Sequence, residues 1–157
     1  MNKLGRIHWK ERLEPRENVR RELPRMITDY FVAVRELLRN DPPPAELHQA
    51  RLASKSVRYA LELFRPCYGP GLDTRLEALR QLQQILGEVN DAAMVQRLLA
   101  GASLPRQRKR AAVAFAAARA EARAREFRRQ WTEVFDAPGQ LQWWVGYLSR
   151  AGKNPTG

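Results

Sequence analysis

Residues 46–65 read ELHQARLASKSVRYALELFR. At helical pitch, His48, Arg51, Lys55 and Arg58 fall within an arc of about 80°. Glu62 lies inside that arc, and Arg65 just outside it. Ala50, Ala53, Val57, Ala60, Leu61 and Phe64 occupy the opposite side. One face of this helix can pack into a core, while the other presents a column of three fixed cations and an imidazole. Side chains three or four positions apart are neighbours on a helix, so Arg51, Lys55 and Arg58 repel one another unless an anion or an acidic neighbour intervenes. Glu62 is placed to relieve one of them, most easily Arg58. Histidine changes charge nearest neutral pH, so anion affinity is expected to rise as pH falls. A solvated polar face is the bland alternative, but such faces usually alternate their charges.

Outward from this stretch, punctuation divides the chain into helices. Upstream, Val19, Leu23, Met26, Ile27, Tyr30, Phe31, Val34, Leu37 and Leu38 recur at spacings of three and four. Pro24 interrupts them, so the reading is a short first turn and a main helix from Leu23 or Pro24 to Arg39. Asn40-Asp41-Pro42-Pro43-Pro44 is a stop. Pro66 and the Cys67–Gly71 loop end the second helix. A third helix, capped by Asp73 or Thr74, buries Leu76, Leu79, Leu82, Ile85, Leu86, Val89, Ala93 and Leu99. Gly87 within it marks either a break or a place where another backbone or a ligand comes close. After Ser103, read as a cap, and Pro105, a fourth helix runs to Phe135 with small residues at 111–118, which suit close helix contact. From 104 to 130 it carries 9 basic and 2 acidic residues. Trp143, Trp144, Val145, Tyr147 and Leu148 follow. That much apolar surface should dock on the helices or on a second subunit.

No strand-like alternation competes with this pattern. The expected fold is all-α: an antiparallel four-helix bundle with long helices and a docked C-terminal aromatic segment. Residues 1–16 read as a polar arm with Trp9 as its contact, 17–150 as one domain, and 151–157 as a disordered tail.

Composition narrows the partner. Lys and Arg number 28 against 17 Asp and Glu, a formal net charge of +11. A surplus of this size points to a polyanion, and arginine favours phosphate because its planar fork binds two oxygens. No apolar run approaches a membrane span. The first residues have no apolar core of a secretory signal, so a cytoplasmic location is expected. With Cys67 the only cysteine and His8 and His48 the only histidines, a zinc site is not expected. Catalysis has little support: there is no phosphate-cradling glycine loop and no nucleophile with an evident base. Glu62 and Asp91 would have to share a metal for a phosphohydrolase or kinase-like reading. Cys67 reads as incidental, and the Trp143-Trp144 pair as packing rather than a platform for bases.

HQARLASKSVRYALELF (48–64) resembles the signature helix of CHAD domains, the conserved-histidine α-helical domains. LQQILGEVNDAAMVQRLL (82–99) resembles their second signature, and the helix ending RRQWTEVF their closing helix. The similarity spans about residues 20–135. It implies a non-catalytic all-α domain that binds inorganic polyphosphate in a basic cavity, without a cofactor. It matches His48, Arg51, Lys55 and Arg58 to the anion-facing positions, and Arg80 more loosely. Asn90 and Asp91 match a signature expected to hydrogen-bond within the protein. Arg119 and Arg123 join the site as basic residues bordering the apolar arc of the fourth helix. The family usually carries two related bundles, and this sequence holds one copy of each motif, worded like the second bundle. Ser56 stands where a second basic residue is usual. A homodimer is therefore expected to complete the cavity, docking through Trp143, Trp144 and Tyr147 or through Trp9. A small nucleic-acid-binding module is the alternative function.

Overall fold

The computed structural model describes residues 7–150. The first six residues of the expected arm and the whole expected tail lie outside the described residues. Among the described residues the chain is all-helical, without strands, and contains five α-helices: α1 (Pro15–Arg39), α2 (His48–Leu63), α3 (Gly71–Gly101), α4 (Arg106–Gln130) and α5 (Gln140–Leu148). The aromatic C-terminal segment is thus a helix of its own, added to the four that the punctuation marks out.

The helix α1 begins well before Pro24 and passes through it. Pro15 occupies the first turn, where a missing N–H costs nothing, and the Glu17 carboxylate accepts the Glu14 N–H at 3.3 Å. An interior proline costs about 3 kcal/mol. The helix continues because Val19 and Leu23 before Pro24, and Met26, Ile27, Tyr30, Phe31 and Val34 after it, all enter one core. Residues 7–14 are tied to α1. The buried Asn18 accepts the Lys10 N–H and donates to the carbonyls of Lys10 and Leu13. The buried Glu22 accepts the His8 N–H at 2.8 Å and pairs with Arg21 and Arg25.

A 3-10 turn (Pro44–Leu47) leads directly into α2. The expected apolar face is inside: Ala50, Ala53, Val57 and Leu61 are buried, with Ala60 and Phe64 packed at its margin. Ser54 also lies on this face, and its hydroxyl is 2.7 Å from that of the buried Tyr30.

Corrections follow in the later helices. The α3 helix starts at Gly71, so Asp73 sits inside the first turn and pairs with Arg65 instead of capping. Gly87 does not break it; α3 runs for 31 residues, about 46 Å. The residue preceding α4 is Pro105, and Ser103 makes no capping bond. Ala116, Ala120 and Ala124 are buried one turn apart on α4, which fits its extensive contact with α3. Beyond Gln130 the helix widens into a π turn, Trp131–Phe135, closed by the Asp136 N–H on the Trp131 carbonyl at 2.7 Å. This turn stacks Trp131 on Phe135 and sets both against Tyr30 and Phe31.

The α5 helix packs on α1. Trp144 and Leu148 are fully buried. The Tyr147 hydroxyl donates to the Gly69 carbonyl and the Tyr68 hydroxyl to the Leu148 carbonyl, both at 2.9 Å. Trp143 is covered by the Arg75 guanidinium, 3.9 Å from the ring centre. Trp9 stacks on Phe64 of its own chain. Of the residues expected to dock a second subunit, Trp144 is spent in the core of its own chain, Trp143 and Tyr147 are half-buried, and Trp9 keeps 45% of its surface exposed.

Candidate functional site

The candidate site is the outer face of α2 and the part of α3 beside it. The buried stripe of α2 fixes its rotation, so the opposite residues must face outward. His48, Lys55 and Ser56 are exposed, and Arg51 and Arg58 are half-buried.

Two contacts set the register between α2 and α3. Near one end, His48 Nδ1 lies 3.1 Å from Asn90 Oδ1. Near the other, Arg80 Nη2 lies 3.1 Å from Glu62 Oε1. The two helices therefore run in opposite directions here. This register puts Gly87 level with Arg51, and Gln83 level with Arg58. A Cβ added at Gly87 would meet nothing within 4 Å, so the glycine leaves open space beside Arg51.

The charge balance of the column is lopsided. Glu62 hydrogen-bonds to Arg80, and its distance to Arg58 Nε is 3.8 Å, beyond hydrogen-bond range. The carboxylate expected to relieve Arg58 thus serves chiefly Arg80, which also reaches Glu77 at 3.4 Å. Among the described residues, neither Arg51 nor Lys55 has an ion-pair partner. Arg58 Nε and Gln83 Oε1 are buried and make no hydrogen bond among the described residues.

One contributor was not visible in the spacing. The Tyr59 ring lies 5.6 Å from Lys55 Nζ and 5.1 Å from the Arg58 guanidinium carbon. Tyr59 directly follows Arg58, and its ring steadies two cations of the column from the side. A tyrosine adjacent to a basic helix stripe is a weak signal. Arg65, at the edge of the same arc, is by contrast committed: it forms two bonds of 2.7 and 2.8 Å to Asp73, which hold that carboxyl below its ordinary value.

The remaining expected residues sit elsewhere. Arg123 pairs with Glu88 at 3.4 Å, and Arg119 lines a groove between α3 and α4 with Glu88, Asp91, Ala92, Val95, Phe115 and Ala116. These contacts engage the α4 side of α3, whereas the column meets α3 through Asn90 and Arg80. Glu62 and Asp91 are also apart. Glu62 is held at Arg80, about 16 Å along α3 from Asp91. Among the described residues no cluster of three or more His, Cys, Asp or Glu is grouped to hold a metal ion. No described helix is long and apolar enough to cross a membrane.

The geometry suits an anion that spans several cations at once. A linear chain of phosphates along α2 would meet His48, Arg51, Lys55 and Arg58 in order, each about one helical turn from the next.

Comparison with known proteins agrees with the motifs. No curated protein and no solved structure matches the chain. The model of the CHAD domain family matches residues 4–100, which include α1, α2 and nearly all of α3. The match holds the whole basic column and Asn90, and it stops before α4, so Arg119 and Arg123 lie outside it. A match over more than half of the chain, carrying both signature segments, makes this protein a member of the CHAD domain family.

Proposed function

We propose that this chain binds inorganic polyphosphate, or a similar phosphate polymer, through the outer face of α2, without catalysing a reaction on it. The observation that carries this reading is the pairing pattern. Arg51 and Lys55 stand a turn apart with no acidic partner among the described residues, while nearby Arg80 and Arg65 are both engaged by carboxylates. Like charges held side by side are costly unless an anion joins them. The association of CHAD domains with polyphosphate supplies the substrate class.

In this reading His48, Arg51, Lys55 and Arg58 make the contacts and Arg80 extends them, with Arg119 and Arg123 as a separate, weaker basic patch. The domain is taken as 17–150, with α1–α4 as an antiparallel four-helix bundle acting in the cytoplasm. Two copies whose columns face one another would close a cavity around the polymer. Because free columns repel, that pairing depends on the anion.

The test is binding of polyphosphates of graded length, followed by calorimetry, with the mass of the complex measured alongside. Affinity should climb with length until the column is spanned, and fall steeply with salt as counterion release predicts. Equal affinity for single phosphate and long chains would exclude the reading. So would duplex nucleic acid displacing polyphosphate at equal phosphate concentration.

A further inference from the structure

The face of α3 that meets the basic column is a single stripe: Arg80, Gln83, Gly87 and Asn90 recur at spacings of three and four. Both ends of the stripe are engaged across the interface, Arg80 by Glu62 and Asn90 by His48, each at 3.1 Å. Gly87 carries no side chain. Gln83 is the remaining member, and the antiparallel register sets it level with Arg58. At that level two polar atoms lie buried without a hydrogen bond among the described residues, Arg58 Nε and Gln83 Oε1. One is a donor and the other an acceptor. Left unpaired, each is costly; joined, they satisfy one another.

The other neighbours of Arg58 do not fill this role. The Tyr59 ring, 5.1 Å from the guanidinium carbon, attracts its charge but does not fix the direction of its N–H groups. Glu62 lies 3.8 Å from Nε, beyond hydrogen-bond range, and is held by Arg80. A carboxylate would also cancel the charge that an anion needs. An amide oxygen orients the guanidinium and leaves its charge whole. The guanidinium carries its N–H donors in one fixed plane. With Nε committed to an amide, the Nη groups remain, and their fork takes two phosphate oxygens. Arg58 keeps 26% of its side chain exposed for that contact. Arg51 lies level with Gly87, which holds nothing out to it, and Lys55 is exposed and has no Nε–H to fix.

We infer that Gln83 positions Arg58 for the anion: Gln83 Oε1 accepts the Arg58 Nε–H in the anion-bound state, and the guanidinium turns its Nη edge to the phosphates. The inference rests on the polyphosphate reading and adds an uncharged residue of α3 to a site otherwise made of basic ones. Gln83 is a positioning residue; it acts through Arg58.

The experiment is calorimetry of the full chain with one polyphosphate length. Gln83→Met keeps the length of the side chain and removes the amide oxygen. It should weaken binding on the order of tenfold, with unchanged helical circular dichroism. Arg58→Lys keeps the charge and removes the Nε–H, so Gln83→Met added to it should cost nothing further. Added to Lys55→Ala, Gln83→Met should still cost its full factor. A merely structural role would cost the same in both backgrounds. The second readout is the Arg58 Nε–H signal in nitrogen-edited NMR, assigned by its loss in Arg58→Lys. Saturating polyphosphate should slow its exchange with water, and Gln83→Met should abolish that protection. A wild type that binds, and loses affinity in Arg58→Ala but not in Gln83→Met, overturns this inference and leaves the polyphosphate reading standing. So does a loss that is equal in the Arg58→Lys and Lys55→Ala backgrounds. A wild type with no affinity for polyphosphate overturns both.

Discussion

His48 Nδ1 lies 3.1 Å from Asn90 Oδ1, joining the first residue of α2 to the middle of α3. The amide oxygen can only accept, so with Asn90 in this orientation the proton is on Nδ1. Nε2 is then the ring nitrogen turned away from Asn90, and the side chain that carries it is exposed. The two family signatures, far apart in sequence, thus meet in a single bond that aims the imidazole.

The contribution of His48 follows from that bond. If the Asn90 amide aims the imidazole at the anion, Asn90→Ala and His48→Ala should weaken polyphosphate binding to a similar extent, as calorimetry would read. Unchanged affinity in both variants would remove His48 from the site.

The two inner arginines should dominate affinity. A hydrogen bond to a charged group contributes about 1.5–3 kcal/mol, so Arg51→Ala with Arg58→Ala should cost on the order of a hundredfold or more. Arg119→Ala with Arg123→Ala, on the other side of α3, should cost far less. Titration of both pairs against one polyphosphate length compares them directly, and equal losses would move the site.

Glu62 competes with the anion for Arg80 and, at longer range, for Arg58. Glu62→Gln should therefore tighten binding by a few-fold. Its effect on stability should be small, within about 1 kcal/mol, because such partly exposed pairs contribute little. Weaker binding in this variant would show that Glu62 positions Arg80 for the ligand and does not compete with it.

Gly87 offers a test of the groove. Alanine in a helix interior is favoured over glycine by about 1 kcal/mol, and the added Cβ would meet nothing. Gly87→Ala should raise the denaturation midpoint. If the open space beside Arg51 admits the polymer, the same variant should bind less tightly, and unchanged binding would show that the ligand stays clear of it.

Acid sensitivity should come in part from Glu22. Burial pushes its carboxyl up, but hydrogen bonds from Arg25 and the His8 N–H, with the charges of Arg25 and Arg21, more than offset this, and the value is lowered overall. A lowered folded value means stabilisation that is present above the ordinary glutamate range and lost as pH falls through the folded one. Denaturant titrations between pH 7 and pH 3 should show Glu22→Gln less stable at neutral pH, by about 1–3 kcal/mol, and losing less on acidification. Parallel curves would mean the loss originates elsewhere.

Much of this molecule is legible in its residues one helix at a time. The α2 stripe is decided by spacing alone, because burial of Ala50, Val57 and Leu61 leaves the basic face nowhere to go but outward. The family follows from two short motifs. Local rules failed where distant packing outweighed them. Pro24 belongs inside α1 because the core on both sides of it outweighs one lost hydrogen bond. Gly87 stays helical because α3 is held along its length by α2 and α4. Whether Trp144 served a core or a partner was open until α5 was seen against α1, because an apolar helix carries no address for what covers it. The site divides in the same way. Sequence determined which cations share a face, since helical periodicity is local. Only the tertiary structure decided which keep a carboxylate: among the described residues Arg80 and Arg65 do, while Arg51 and Lys55 do not, because ion pairing between helices depends on a register that no single helix contains.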